Sequence, residues 1–370
     1  MRPNVRRFHH RHADELFSYL QNMENTTSVR ALSDTAEIQL NQNAKTVIDG
    51  FQFTSSAFRQ AAQIIGPGLS KLLPDVAGTV DLDDERTQLV DGPYAIRLWN
   101  ELVDLRFPLF SRFRVIRNDQ NKTIEGFVSH KHQYLDNLAL YREVSALLDS
   151  QQPDVKMYAA ILVGRRFSVW FRKETPIFSL PVDGAIWPFY SGYYFTNGEA
   201  TGMSVRGTIA IFTPKGVCLG AYRKYGQRVT HIGRDFMARL GEMFSCVLQG
   251  ELPLDKLQQG AQNLLTSSLG FDVDWNKEQR KERSKKISHS LGLLGVQKNL
   301  ATEIVDIALA AGRYQGIETQ SWSQVNQLYA ARTSLDLLIP LLWMARKVDM
   351  IRREKLEQAA FDVLMGRLLL

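Results

Sequence analysis

The stretch VKMYAAILVGRRFSVWFRKE, Val155 to Glu174, holds two runs rich in β-branched and aromatic residues on either side of Gly164-Arg165. Two such runs around a tight polar turn predict a pair of antiparallel strands. GMSVRGTIAIFTPKGVCLGAYRKY, Gly202 to Tyr225, repeats the pattern around Pro214-Lys215-Gly216. From Phe236 the period becomes helical: Phe236, Leu240, Met243, Phe244, Val247 and Leu248 share one face, so a helix should pack on the sheet those strands form.

Working toward the N-terminus, SRFRVIRND (111–119) and TIEGFVSH (123–130) flank the turn NDQNK and predict a hairpin, followed by a helix in QYLDNLALYREVSALLDS (133–150) with Leu138, Tyr141 and Leu148 near one face. FTSSAFRQAAQIIGPG (53–68) reads as a helix capped by Ser55 or Ser56, with Phe58, Ala61, Ala62 and Ile65 on one face and Gly66-Pro67-Gly68 as its stop. DLDDER (81–86) is an acidic surface loop. The first dozen residues, basic and histidine-rich, are expected to be mobile, with a short helix after them in ADELFSYLQNM.

Beyond Leu254 the chain reads as helix, with breaks near Gly270, Gly292 to Gly295, Gly312 to Gly316 and Pro340. NKEQRKERSKK (276–286) carries six basic and two acidic residues. The expectation is an α+β protein: a basic arm over 1–30, an antiparallel sheet with flanking helices over 31–250, and a helical part over 251–370.

Composition narrows the function classes. The 370 residues are 44% hydrophobic and 23% charged, ordinary for a globular protein. The apolar run Leu335 to Ala345 is broken by Asp336 and Pro340 and falls short of the roughly 20 residues that span a bilayer, and no apolar segment follows the basic start. These features predict a cytoplasmic protein without a membrane partner. Two cysteines, Cys218 and Cys246, are too few for a disulfide framework. His9, His10, His12, His130, His132, His231 and His289 show no zinc-type spacing, and no Walker or Rossmann glycine pattern occurs, so no metal, nucleotide or other cofactor is expected. A Cys218/His231 nucleophile pair is one reading of that segment; a core cysteine in the alternating strand VCLGAY is the reading its pattern favours.

The net charge of +6 is unevenly spread: ten basic residues face three acidic ones between Gly164 and Arg234. Cations interleaved with flat side chains suit a single strand, whose phosphates need charge and whose bases stack. The candidates are Arg114, Arg117, Arg165, Arg166, Trp170, Arg172, Lys173, Arg206, Lys215, Tyr222, Arg223, Lys224, Arg228, His231 and Arg234. One sheet is expected to gather them. The alternative is that Phe167, Val169 and Phe171 form a core face whose intervening arginines are solvated.

Three stretches resemble, in order, a family of phage- and plasmid-encoded proteins with a domain of unknown function. RVIRNDQNKTIEGFVSHKHQYLDN matches at Arg117, Gly126, Ser129, Tyr134, Asp136 and Asn137. FTNGEATGMSVRGTIAIFTPKGVCLGAY with HIGR is similar to its Asn-x-Glu, cysteine and His-x-Gly-Arg signatures, and SWSQVNQLYAARTS matches at Trp322, Asn326 and Arg332-Thr333. The likeness covers roughly residues 35 to 340. It departs at Leu219-Gly220-Ala221, where the family often has Asn-Gly. The resemblance implies a mobile-element origin and, by looser analogy to RecT- and Erf-type annealing proteins, a non-enzymatic single-stranded DNA binder that oligomerises in recombination or replication. A protein-interaction or structural component of a mobile element, indifferent to nucleic acid, is the alternative.

Overall fold

The computed structural model describes residues 5–31, 38–40, 46–48, 50–66, 92–110, 112–199, 204–219, 226–310 and 322–368. In chain order its strands are β1 (Val5–His9), β2 (Thr27–Ala31), β3 (Ile38–Leu40), β4 (Thr46–Ile48), β5 (Phe51–Phe53), β6 (Phe113–Asn118), β7 (Thr123–Ser129), β8 (Val155–Val163), β9 (Arg166–Lys173), β10 (Phe178–Val182), β11 (Ala185–Gly198), β12 (Ser204–Thr213), β13 (Gly216–Leu219) and β14 (Gln227–Thr230). Its helices are α1 (Ala13–Asn25), α2 (Ser55–Ile65), α3 (Gly92–Phe110), α4 (Asn137–Gln151), α5 (Phe236–Leu248), α6 (Leu254–Thr266), α7 (Lys277–Leu293), α8 (Lys298–Ala310), α9 (Trp322–Ala330), α10 (Ser334–Ala345) and α11 (Met350–Leu364). The class is α+β, as the strand and helix periods predict.

Two sheets, not one, organise the chain. An eight-stranded sheet runs β1-β8-β9-β11-β12-β13, with β10 on β11 and β14 on β12; a six-stranded sheet runs β2-β6-β7-β5-β4-β3. The Val155–Glu174 stretch forms the antiparallel pair β8–β9 at the centre of the larger sheet. The smaller sheet departs from the all-antiparallel expectation, since β5 lies parallel to β7. Within the start expected to be mobile, β1 pairs with β8 and turns Phe8 inward, and β2 pairs with β6, so residues 5–31 tie into both sheets.

Helix burial follows the apolar periods. All six positions read on α5 are buried, and they pack with Leu16 and Leu20 of α1 and Leu138, Tyr141, Val144 and Leu148 of α4 on one face of the larger sheet. Phe58, Ala61, Ala62 and Ile65 of α2 pack with Trp99 and Val103 of α3 on the smaller sheet. The cap of α2 is Thr54, one residue before the serines expected to provide it, accepting from the Ala57 amide at 3.3 Å.

The helices from α6 onward do not stand apart. Leu257, Ala261, Leu338, Leu341 and Phe361 share a core with Phe189, Ile211 and Cys218 of the larger sheet. Pro340 does not break α10: ten of its twelve residues are buried, and that burial outweighs the roughly 3 kcal/mol a proline costs inside a helix.

Candidate nucleic-acid interface

Strand alternation assigns the residues of the larger sheet to its two faces. Phe167, Val169 and Phe171 of β9 point toward α4 and α5. Arg166, Ser168, Trp170 and Arg172 therefore point the other way, where register places Tyr194 and Thr196 of β11 and Arg206 of β12 beside them. Much of this second face is covered. Helix α11 crosses it and sets Glu354 2.7 Å from the Arg166 guanidinium, 2.7 Å from the Tyr194 hydroxyl and 3.6 Å from Arg206. Trp170 is 1% exposed and lies under Arg353, 4.5 Å from the ring centre, so it cannot stack on a base in this conformation.

Past the reach of α11 the same face changes character. The Arg172 guanidinium sits 4.8 Å from the Tyr158 ring centre and 4.4 Å from that of Tyr190, and all three residues are half-buried. Lys156 pairs in register with Arg172, but its ammonium turns to Asp149 of α4 on the other side of the sheet, which leaves Arg172 as the cation of this part of the face. Lys156 contacts Asp149 at 3.6 Å, and among the described residues no carboxylate pairs with Arg172. A guanidinium between two partly accessible tyrosines presents charge and flat π surface together, the combination a phosphodiester strand with unpaired bases requires.

The remaining candidates disperse. Arg114 and Arg117 belong to the smaller sheet, contrary to the expectation of one sheet: Arg114 donates to the His132 carbonyl, and Arg117 lies over Phe51. Lys173 is half-buried at the end of β9; Lys215 is exposed on the β12–β13 turn, 5.8 Å from the Trp187 ring centre. Arg228 is exposed on β14 opposite Arg206, and Arg234 is exposed after it. Tyr222, Arg223 and Lys224 lie outside the described residues.

Arg165 and His231 are buried in a polar junction between the two sheets. The Arg165 turn is pressed against the smaller sheet, where its guanidinium binds Glu125, the Thr27 hydroxyl at 2.6 Å and Glu199 at 3.1 Å. Burial lowers the Arg165 pKa, but Glu199 and Glu125 more than offset that and hold it above its ordinary value. Glu199 also accepts from the Asn137 amide at 2.6 Å and the Tyr134 hydroxyl at 3.1 Å. Burial raises the Glu199 carboxyl against the pull of Arg165, and raises the Tyr134 phenol, with Glu199 adding to it.

Asn197 donates to Leu135 and Asn137, which turns its carbonyl oxygen to His231 Nε2 at 2.9 Å; His231 Nδ1 lies 3.0 Å from the Gln133 carbonyl. The His231 ring stacks on His132 at 4.7 Å. Tyr134, Asn137, Asn197, Glu199 and His231, which come from two of the family-like stretches, thus meet in one network. The cavity beside it, about 10 Å³, has room for about one water.

Cys218 is fully buried among apolar side chains of the larger core, and burial, helped by Glu357, raises its thiol pKa. It is not among the contacts of His231, so the two do not form the nucleophile pair considered from sequence. Sequence reasoning overlooked Tyr158, Tyr190 and Glu354. Hairpin register from the Val163–Arg166 turn would set Tyr158 opposite Phe171 on the α4 and α5 face; an irregularity between Met157 and Ala159 turns it to the Arg172 face instead, and neither that shift nor Glu354 carried a local signal.

Among the described residues no group of histidine, cysteine and carboxylate side chains could hold a metal, and no helix is long and apolar enough to cross a membrane. No protein-family model, curated protein or solved structure matches the chain.

Proposed function

We propose that this chain is a non-enzymatic nucleic-acid-binding protein of a phage or plasmid. It takes single-stranded DNA on the part of the larger sheet that α11 leaves uncovered, and serves in recombination or replication, as an oligomer. The observation that carries the reading is Arg172 held between Tyr158 and Tyr190. Phosphates meet the Arg172 guanidinium, and bases stack on the tyrosines without sequence preference.

The test is fluorescence anisotropy with a labelled oligothymidylate across a salt series. Binding should weaken steeply with salt. At about 1–3 kcal/mol per stacked base, the double variant Y158A/Y190A, which removes two stacking rings, should bind about 30-fold to 10,000-fold more weakly. Absence of binding at low salt to both single- and double-stranded DNA overturns the reading.

The neutralisation of Arg165, Arg166 and Arg206 by Glu199, Glu125 and Glu354 favours a second reading, a protein-interaction or structural component. Its mark is a stable complex with a protein partner together with indifference to DNA.

A further inference from the structure

Lys277 to Lys286, the first ten residues of α7, contain no apolar side chain. Only Arg280 among them is buried. The helix is instead held by polar anchors. Asn276 and Gln279 form a reciprocal capping box, Arg280 stacks on Tyr329 at 5.1 Å, and the Arg283 guanidinium donates to the Leu269 carbonyl at 2.8 Å. The arginines are thus turned inward, and Lys277, Lys281, Lys285 and Lys286 are exposed.

The first three lysines recur every four residues, a row about 12 Å long with steps of about 6 Å. For the chain alone this row is unfavourable, because like charges four apart repel and cations near a helix N-terminus oppose its dipole. Glu282 relieves Lys286 at 3.6 Å, and among the described residues no carboxylate pairs with Lys277, Lys281 or Lys285.

We infer that Lys277, Lys281 and Lys285 form a second contact for the nucleic-acid strand, one that binds its phosphates alone. The inference rests on the functional reading above and adds a separate surface to it. Lysines are mobile point charges suited to phosphates that need not be gripped in one geometry. No aromatic side chain stands in the row to stack a base. A lipid surface fits less well, since a helix that lies on a membrane inserts an apolar face and this stretch has none.

The decisive measurement is the salt dependence of oligothymidylate binding by the triple variant K277Q/K281Q/K285Q of the full chain. All three positions are exposed, so the variant should keep the circular dichroism spectrum of the parent. Its affinity at low salt should fall about 10-fold to 100-fold, and the slope of log K against log salt should shrink by about two, near 0.7 per lost phosphate contact. Y158A/Y190A should lose affinity while keeping that slope. If the parent binds and the triple variant keeps both its affinity and its slope, the helix contact is wrong and the sheet reading stands. If the parent binds no oligothymidylate, both fall. Loss of phosphatidylserine-vesicle binding with an unchanged oligonucleotide slope would assign the row to a membrane and overturn the inference.

Discussion

Glu354 of α11 places a carboxylate oxygen 2.7 Å from the guanidinium of Arg166 on β9, so a cation on the sheet face is answered from within the molecule. The same carboxylate takes the Tyr194 hydroxyl and lies near Arg206. Replacing it by glutamine keeps the shape and removes the charge, leaving two partly buried guanidinium groups on one side of the sheet. E354Q should lose about 2–3 kcal/mol in urea unfolding, since a buried pair loses one partner. Its affinity for oligothymidylate should rise. A variant as stable as the parent would show that the contact is energetically idle.

Arg165 and Glu199, both carried by the larger sheet, pair in a buried site from which Arg165 also reaches Glu125 and Thr27 of the smaller one. R165M should cost about 3–5 kcal/mol, because it strands the buried Glu199, and E199Q less, because Arg165 keeps Glu125. The double variant should cost clearly less than the sum, which a double-mutant cycle by chemical denaturation measures. Additivity would mean the two do not act as a pair.

The stacked imidazoles make acid stability predictable. Burial, then His231, then Arg114 push His132 down to about 4 from its ordinary 6.5. Between those values the unfolded chain binds a proton that the folded chain resists, so stability should fall as pH drops from about 6.5 toward 4, on the order of 1–2 kcal/mol after solvent screening. H132Q should flatten this limb of the stability profile. Glu357 acts with the opposite sign. Burial, only partly offset by Arg353, raises its carboxyl to about 7, so its contribution is present at low pH and is lost as pH rises through 7.

Gly192 tests the packing beneath the tyrosine pair. A Cβ there would stand 2.0 Å from the Phe171 carbonyl oxygen and 2.8 Å from the Phe212 ring. Backbone in the middle of a sheet cannot yield that far. G192A should lower the melting temperature by an amount equivalent to about 3 kcal/mol or more, and an unchanged melt would show that β9 and β12 can part.

The legible features were those carried by local period. The inward face of β9 followed from Phe167, Val169 and Phe171, and that of α5 from its apolar repeat. Charge was legible only as a total. Whether an arginine faces solvent depends on carboxylates elsewhere in the chain: Glu354 meets Arg166 across 188 positions, and Glu199 meets Arg165 across 34. Arg165 belongs to the polar turn its sequence predicts, with Gly164 at φ +57°; the smaller sheet pressed against that turn has no trace in the local pattern. The parallel pairing of β5 with β7 and the docking of β1 likewise depend on partners distant in sequence.

The span between Arg166 and Glu354 also has a meaning in time. At about 5–20 residues per second, roughly 10–40 s separate the synthesis of the arginine from that of the carboxylate that neutralises it. The strands from β11 to β14 are made within that interval, and the helix that covers their face comes last. Until α11 is made, Arg166 lacks the carboxylate that answers it in the finished molecule.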